Sequence, residues 1–255
     1  MRSLFLSAAL ASTLAVACNT DPADTTLEAT SAALTAGDAE ADSAALGTLA
    51  FIPGSALTAG ERVAHLKAWV ASSLTCADAT TTGDGVALTF SSDCSWNGRK
   101  WTGTVAITWD AVGKTAAIEM EGVKVNGATL SGTIDVASLG DRHVTVDADM
   151  TKTRADGKVV DGTWDAEYQW DDTSYTVVAS QQTLNVNGHS ATRSVDQLVW
   201  AKADHAPSSG TVTLNGFRGR SWTFVYAVVD GAHQVTVTGP RGTKTFVIGD
   251  DGAVE

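Results

Sequence analysis

The chain has 255 residues, of which 29 are acidic and 17 are lysine or arginine, so its formal net charge at pH 7 is −12. Nucleic acid and anionic lipid surfaces are bound by clustered positive charge, and this acidic chain has no run rich in Lys and Arg. The composition therefore excludes nucleic-acid binding and peripheral attachment to a membrane through charge.

The first residues have the features of an export signal. Arg2 precedes an uncharged, mostly apolar stretch from Leu4 to Ala17, which is too short to span a bilayer permanently. The small residues that end this stretch lead directly into Cys18 and resemble the lipobox of bacterial lipoproteins. We predict a signal peptide over residues 1–17 with Cys18 as the lipidated first mature residue. Plain secretion after cleavage at Ala17 is the alternative.

The three cysteines predict one disulfide bond. An exported chain meets an oxidising compartment, where an odd thiol needs a separate explanation. Lipidation of Cys18 removes that thiol and leaves Cys76 and Cys94 to pair. A loop of this size contributes about 3 kcal/mol on the chain-entropy account, so we interpret the pair as a structural staple.

Residues 18–50 have the composition of a solvated tether. After Cys18 the segment is rich in Ala, Thr and Ser, and it contains six acidic residues with no basic or aromatic residue. Low aromatic content and charge of one sign are typical of disorder. We therefore expect an acidic disordered tether over residues 18–50 and a single folded domain over residues 51–255.

The folded domain is expected to begin with one helix and to continue as β-structure. Thr58 and Glu61 have the spacing of a capping box, and apolar residues follow at helical intervals, which predicts a helix over about Thr58 to Ser73. After Cys76 the apolar residues alternate with polar ones, and Asn-Gly, Asp-Gly and similar pairs separate the runs.

These patterns predict a mainly all-β fold: a large antiparallel meander of about ten strands with one N-terminal helix. The absence of helical patterns between the strands argues against a parallel βαβ arrangement. Three forms remain open at this point, namely an open twisted sheet, a barrel and a sandwich.

Several segments resemble a group of uncharacterised bacterial cell-envelope lipoproteins of β-rich fold. The resemblance extends from about Cys76 to Gly249, and its motifs are Cys94-Ser-Trp-Asn-Gly-Arg99, Trp101-Thr-Gly-Thr-Val-Ala-Ile107, Val125-Asn126-Gly127, Ser131-Gly132-Thr133 and Ser209-Gly-Thr-Val-Thr213. It implies a location and a fold rather than a reaction. Some members carry a second cysteine pair in the last third, which this chain does not have.

We find no catalytic or cofactor motif in the sequence, so we predict no catalytic residue, no cofactor and no metal site. The five histidines lack metal-ligand spacing, and the elbow of serine hydrolases is missing. Asp165 and Glu167 lie near aromatic residues, as in a glycosidase, but alternation directs them to the opposite face. Calcium ligation was considered for two acidic pairs, Asp147 with Asp149 and Asp171 with Asp172.

The eight tryptophans are numerous for this length and suggest a core or an apolar ligand face. The candidate ligand face consists of Trp101, Trp109, Trp164 and Trp170. Our leading hypothesis is a non-enzymatic lipid-anchored binding or structural module at the outer membrane or cell surface of a Gram-negative bacterium. The alternatives are a carrier of apolar, lipid-like ligands and, third, an envelope hydrolase.

Overall fold

The computed structural model describes residues 22–51, 57–186, 188–201, 204 and 206–249. The α-helices within these residues are α1 (Pro22–Ala50) and α2 (Ala59–Ser73), and one turn of 3₁₀ helix spans Phe217–Gly219. The strands are β1 (Ala77–Thr82), β2 (Gly85–Trp96), β3 (Arg99–Trp109), β4 (Thr115–Val125), β5 (Ala128–Gly140), β6 (His143–Thr153), β7 (Val159–Trp170), β8 (Ser174–Val186), β9 (His189–Ala201), β10 (Ser209–Asn215), β11 (Ser221–Val229), β12 (Ala232–Gly239) and β13 (Gly242–Val247). The predicted signal peptide and Cys18 lie outside the described residues.

The strands form one antiparallel sheet in which each strand pairs with the next one along the chain. The order runs from β1 to β13 without a crossover, and these two strands form the edges of an open sheet. The predicted mainly β meander is confirmed in its open-sheet form. It has thirteen strands rather than about ten, because β1, β4 and β9 were not recognised as strands in the sequence.

Two-residue turns connect several neighbouring strands, as the sequence predicted. Asn126 and Gly127 join β4 to β5 with φ of 50° and 81°, and Asp230 and Gly231 join β11 to β12 with φ of 50° and 82°. Both central residues of a type I′ turn require positive φ, which glycine adopts freely and Asn and Asp tolerate. These pairs therefore fix the register of the strands that they connect.

The helix α2 agrees with its prediction. Thr58 is its N-cap, and the capping box is complete: the backbone N–H of Thr58 donates to Glu61 Oε2 at 2.8 Å, and the N–H of Glu61 donates to Thr58 Oγ1 at 3.4 Å. Val63, Leu66 and Val70 form its buried stripe. This stripe packs α2 on β1, β2 and β3.

The disulfide predicted between Cys76 and Cys94 is present. Cys76 follows α2, and Cys94 lies in β2 close to its end. The bond thus connects the end of α2 to the sheet on which the helix packs.

The expected tether over residues 18–50 is corrected by the structure, because from Pro22 onward this segment is the helix α1. Every residue from Ala39 to Gly47 is buried, so this part of the helix is covered on all sides. It contacts strands from β4 to β12, and the sheet must therefore curve around it. Alanine has the highest helix propensity, and its small side chain lets the strands approach closely.

Candidate functional site

The inner face of the sheet meets α1 at an interior ion cluster of four residues: Asp38, Asp42, Arg99 and Lys152. Asp38 and Asp42 are four residues apart on α1 and so lie on the same face of the helix. Arg99 Nη1 donates to Asp38 Oδ1 at 2.7 Å and to Asp42 Oδ1 at 2.5 Å. Lys152 Nζ donates to Asp42 Oδ2 at 2.6 Å and also to Asp38 Oδ2. Two carboxylates and two cations thus balance each other.

Burial and charge act against each other on these carboxyl groups. Burial alone would raise the pKa of Asp38, but the charges of Lys152 and Arg99 outweigh it and hold that pKa well below its ordinary value. Burial dominates at Asp42 and raises its pKa, although the same two cations oppose the effect. The pKa of Arg99 is raised, because the two carboxylates more than offset its own burial.

A second buried pair holds another face of α1. Arg193 Nη1 donates to Glu40 Oε2 at 2.7 Å, and the side chains are 1% and 0% exposed. Glu40 Oε1 and Arg193 Nε have no hydrogen-bond partner among the described residues. Tyr168 lies beside this pair, and burial together with the charge of Glu40 raises its pKa well above the ordinary value.

These ion pairs position α1 rather than present reactive groups. A buried pair is weak evidence for net stability, because desolvation of both charges opposes their attraction. Removal of one partner, however, strands the other as an uncompensated buried charge. The three cations therefore fix the rotation and the depth of α1 within the sheet.

Three polar contacts hold the N-terminal half of α1 to the connections between β6 and β7 and between β10 and β11. Arg218 Nη2 donates to Glu28 Oε1 at 2.8 Å, Arg154 Nη1 donates to Thr35 Oγ1 at 3.3 Å, and Lys158 Nζ donates to Ser31 Oγ at 3.5 Å. The side chains of Arg218, Arg154 and Lys158 are more exposed than those of Asp42, Arg99 and Lys152, and contacts of this kind are weak individually. They extend the contact with α1 along most of its length.

This arrangement was not predicted from the sequence, although a signal for it was present. Arg99, Lys152 and Arg193 occupy inward-facing positions in their strands, in the same alternation as Trp101, Met150 and Val195. A charged residue on the apolar face of a strand requires a buried partner of opposite sign. Asp38, Glu40 and Asp42, which are concentrated in one alanine-rich segment, are those partners.

The four tryptophans of the candidate ligand face do not form one open surface. Trp109 Nε1 donates to the carbonyl of Ala50 at 2.9 Å, and Trp164 Nε1 donates to Ser43 Oγ at 3.3 Å, so both rings lie against α1. Trp101 is fully buried, and its ring centroid is 5.5 Å from that of Phe90 and 5.4 Å from that of Trp96. Three of the four tryptophans of the candidate ligand face are thus packed in the interior, two of them against the chain's own helix.

Trp170, the fourth of these residues, lies instead at an aromatic cavity of about 250 Å³. Phe51, Trp69 and Trp96 line the cavity together with it. The remaining lining residues are polar and comprise Thr48, Asn97, Asp141, Arg142, Asp171 and Asp172. The cavity collects side chains from α1, α2, β2 and β7 and the neighbouring turns, which are far apart in the sequence.

The acidic residues near Trp164 lie on the outer face of the sheet. The pairing of β5, β6 and β7 places Asp135 beside Asp147 and Asp147 beside Asp165, and these three line an open groove of about 510 Å³ together with Glu167. Glu167 Oε1 is 2.7 Å from Nε2 of His143. Trp164 and Tyr168 face the interior, so the alternation that separated the carboxylates from the aromatic rings is confirmed.

Of the two acidic pairs named for calcium, Asp147 and Asp149 lie on the exposed face of β6, and Asp171 and Asp172 have partners within the chain. Asp171 accepts hydrogen bonds from the backbone and hydroxyl groups of Thr173 and Ser174, and these bonds lower its pKa. Asp172 pairs with Arg142 at 2.8 Å. Across the described part of the chain, no group of three or more His, Cys, Asp or Glu side chains is arranged to hold a metal ion.

The remaining described histidines have structural contacts or lie in solvent. His65 is exposed on α2, and the ring of His189 packs edge-on against Phe217 at 5.5 Å between centroids. His233 Nε2 is 3.1 Å from a carboxylate oxygen of Asp204. His205 lies outside the described residues.

Comparisons with known proteins give no relative for this arrangement: no family model, no curated protein and no solved structure matches the chain. The resemblance to envelope lipoproteins therefore stays a prediction. Of the two described α-helices, neither is both long and apolar enough to cross a membrane.

Proposed function

We propose that this chain is a lipid-anchored protein of the bacterial cell envelope, attached through Cys18 to the outer membrane or cell surface of a Gram-negative cell. It acts there as a non-enzymatic binding or structural module. The observation that carries this proposal is the position of α1, which begins at Pro22, four residues after Cys18, and is held inside the sheet by buried ion pairs.

In this arrangement α1 connects the lipid on Cys18 to the core of the folded domain. A lipid on Cys18 would lie four residues before a helix that is packed in the core. The buried ion pairs of Arg99, Lys152 and Arg193 keep this helix in place, so they limit how far the domain can move away from the membrane. A flexible linker would leave the domain free to rotate. The disulfide between Cys76 and Cys94 supports export, because such bonds persist in oxidising compartments.

Two observations count against the alternatives, which are a carrier of apolar ligands and a glycosidase built on Asp165 and Glu167. A carrier of apolar ligands needs an accessible apolar face, and here Trp109 and Trp164 contact α1. The carboxylates of Asp165 and Glu167, which resembled a glycosidase pair in the sequence, lie on the opposite face of β7 from the ring of Trp164 and cannot act beside it.

The anchor is tested by mass spectrometry of the mature N-terminus together with membrane fractionation. We expect cleavage before Cys18, a mass increase from covalent lipid on that residue, and recovery of the protein with the membranes. The variant Cys18→Ser should lose the lipid and leave the membrane fraction, while Ser7→Ala in the predicted signal peptide serves as a control that keeps both. An unmodified mature Cys18 in the wild-type protein would contradict the proposal.

A further inference from the structure

The aromatic cavity has features that select for positive charge. Trp69, Trp96 and Trp170 line it, and the faces of aromatic rings carry partial negative charge that attracts cations, with tryptophan the strongest. Phe51 already has a cation on its ring, since the guanidinium carbon of Arg62 lies 4.7 Å from the ring centroid. The ring of Trp96 also packs on Phe90 and Trp101, so Trp69, Trp170 and the remaining surface of Trp96 are available to a ligand.

The charged residues that line the cavity have a net negative charge, which is the same sign as the partial charge on the faces of the aromatic rings. Asp141, Asp171 and Asp172 lie there with Arg142, so three carboxylates and one guanidinium leave two negative charges. The ion pair between Arg142 and Asp172 neutralises that guanidinium. The hydrogen bonds that Asp171 accepts keep its carboxylate ionised.

The helix α1 adds a third contribution. Its last residue is Ala50, and Thr48 and Phe51 at this end line the cavity. The C-terminus of a helix carries partial negative charge, and the last turn of α1 contains no basic residue of its own. Ring faces, carboxylates and the end of the helix thus act in the same direction.

We infer that this cavity binds a small organic cation with an apolar surface, such as a trimethylammonium group. Rings of aromatic residues recognise quaternary ammonium groups because these ions are large and weakly hydrated. The volume of about 250 Å³ is below the usual range for drug-sized ligands, which fits one such group rather than a long acyl chain. The inference uses only the folded domain and does not depend on the lipid anchor.

The first experiment compares two ligands of the same shape. Choline and its uncharged isostere 3,3-dimethyl-1-butanol are titrated into the purified protein, with tryptophan fluorescence and calorimetry as readouts. We expect saturable binding of choline and at least about tenfold weaker binding of the isostere. Equal affinity for the two would overturn the inference, because the cavity would then select for apolar shape alone. A cavity that binds neither choline nor the isostere would also overturn it. So would a cavity that binds glucose, titrated as a neutral sugar, but not choline.

Variants locate the site. Trp170→Leu should weaken choline binding by about tenfold, and Trp69→Leu on α2 provides a second test if the first variant folds poorly. Asp141→Asn should weaken binding by about threefold, whereas the matched control Asp165→Asn on the outer face of β7 should leave it unchanged. Choline binding that survives both tryptophan substitutions would place the site elsewhere and contradict the inference.

A lipid headgroup and a free metabolite can present the same ammonium group. Co-sedimentation of the Cys18→Ser protein, which cannot carry the proposed lipid, with phosphatidylcholine vesicles and with phosphatidylglycerol vesicles separates these sources. Retention on phosphatidylcholine that is lost in Trp170→Leu identifies a headgroup, and binding of free choline without retention identifies a soluble ligand. Retention on both vesicles that Trp170→Leu does not reduce would contradict a role for the cavity.

Discussion

The chain has three tyrosines, and all three are buried on the inner side of the sheet: Tyr168, Tyr175 and Tyr226. Burial disfavours the charged phenolate, so it raises the pKa of each of them. The rings surround the ion pairs that hold α1. The pH at which these phenols ionise therefore reports whether water reaches the space between α1 and the sheet.

We expect the folded protein to lose stability at alkaline pH because of these rings. Burial raises the pKa of Tyr226 from 10.0 to about 12, so an unfolded chain releases this proton first. Stability from this residue is complete below pH 10 and is lost as the pH rises towards 12, by roughly 3 kcal/mol in total. Ultraviolet absorbance of tyrosinate should show no ionisation near pH 10 in the folded state. Ionisation of any tyrosine at that pH without unfolding would show that water reaches the interior.

The pair of Arg193 and Glu40 gives a second prediction for single residues. Arg193→Met leaves the Glu40 carboxylate buried without its cation, and we expect a loss of about 3–5 kcal/mol in the free energy of unfolding, measured by urea denaturation. The double variant Glu40→Leu with Arg193→Met should recover most of this loss. Arg241→Met at the exposed turn before β13 is the control and should change stability by less than about 0.5 kcal/mol. Equal effects of Arg193→Met and Arg241→Met would exclude a buried pair.

The two helices show why one element was predictable and the other was not. The helix α2 has a capping box and an apolar stripe, and both signals are local. The helix α1 has alanine and acidic residues in place of an apolar stripe, and its burial depends on cations that are more than fifty residues away along the chain. Composition alone therefore indicated a solvated tether where the fold has its central helix.

The burial of α1 predicts a large effect of a small substitution. Leu46 on α1 is 0% exposed, so Leu46→Ala should reduce the free energy of unfolding by about 2–5 kcal/mol. Leu139 in β5 is 54% exposed, and Leu139→Ala is the matched control, for which we expect a change below about 0.5 kcal/mol. Thermal or urea unfolding of both variants measures the two changes in the free energy of unfolding. If residues 18–50 were a solvated tether, Leu46→Ala would not lower the free energy of unfolding.

The fold class of the whole molecule followed from the sequence, but the curvature of the sheet did not. Alternation and turn residues such as Asn126 and Gly127 are local, and they predicted an antiparallel meander. Whether such a sheet closes, pairs with another sheet or wraps around a helix depends on what fills its inner face. Here the inner face is filled by α1, whose carboxylates pair with the inward-facing Arg99, Lys152 and Arg193. The aromatic cavity was likewise beyond prediction, because its tryptophans meet only after the sheet has curved.

The central claim, that α1 is the interior of the β domain, is tested most directly by amide hydrogen exchange of the full chain measured by mass spectrometry. We predict that peptides from residues 36–49 exchange as slowly as those from the middle strands β5 to β8, and more slowly than the exposed edge strand β13. Exchange of residues 36–49 at the rate of an unfolded chain, while β5 to β8 stay protected, would contradict the account.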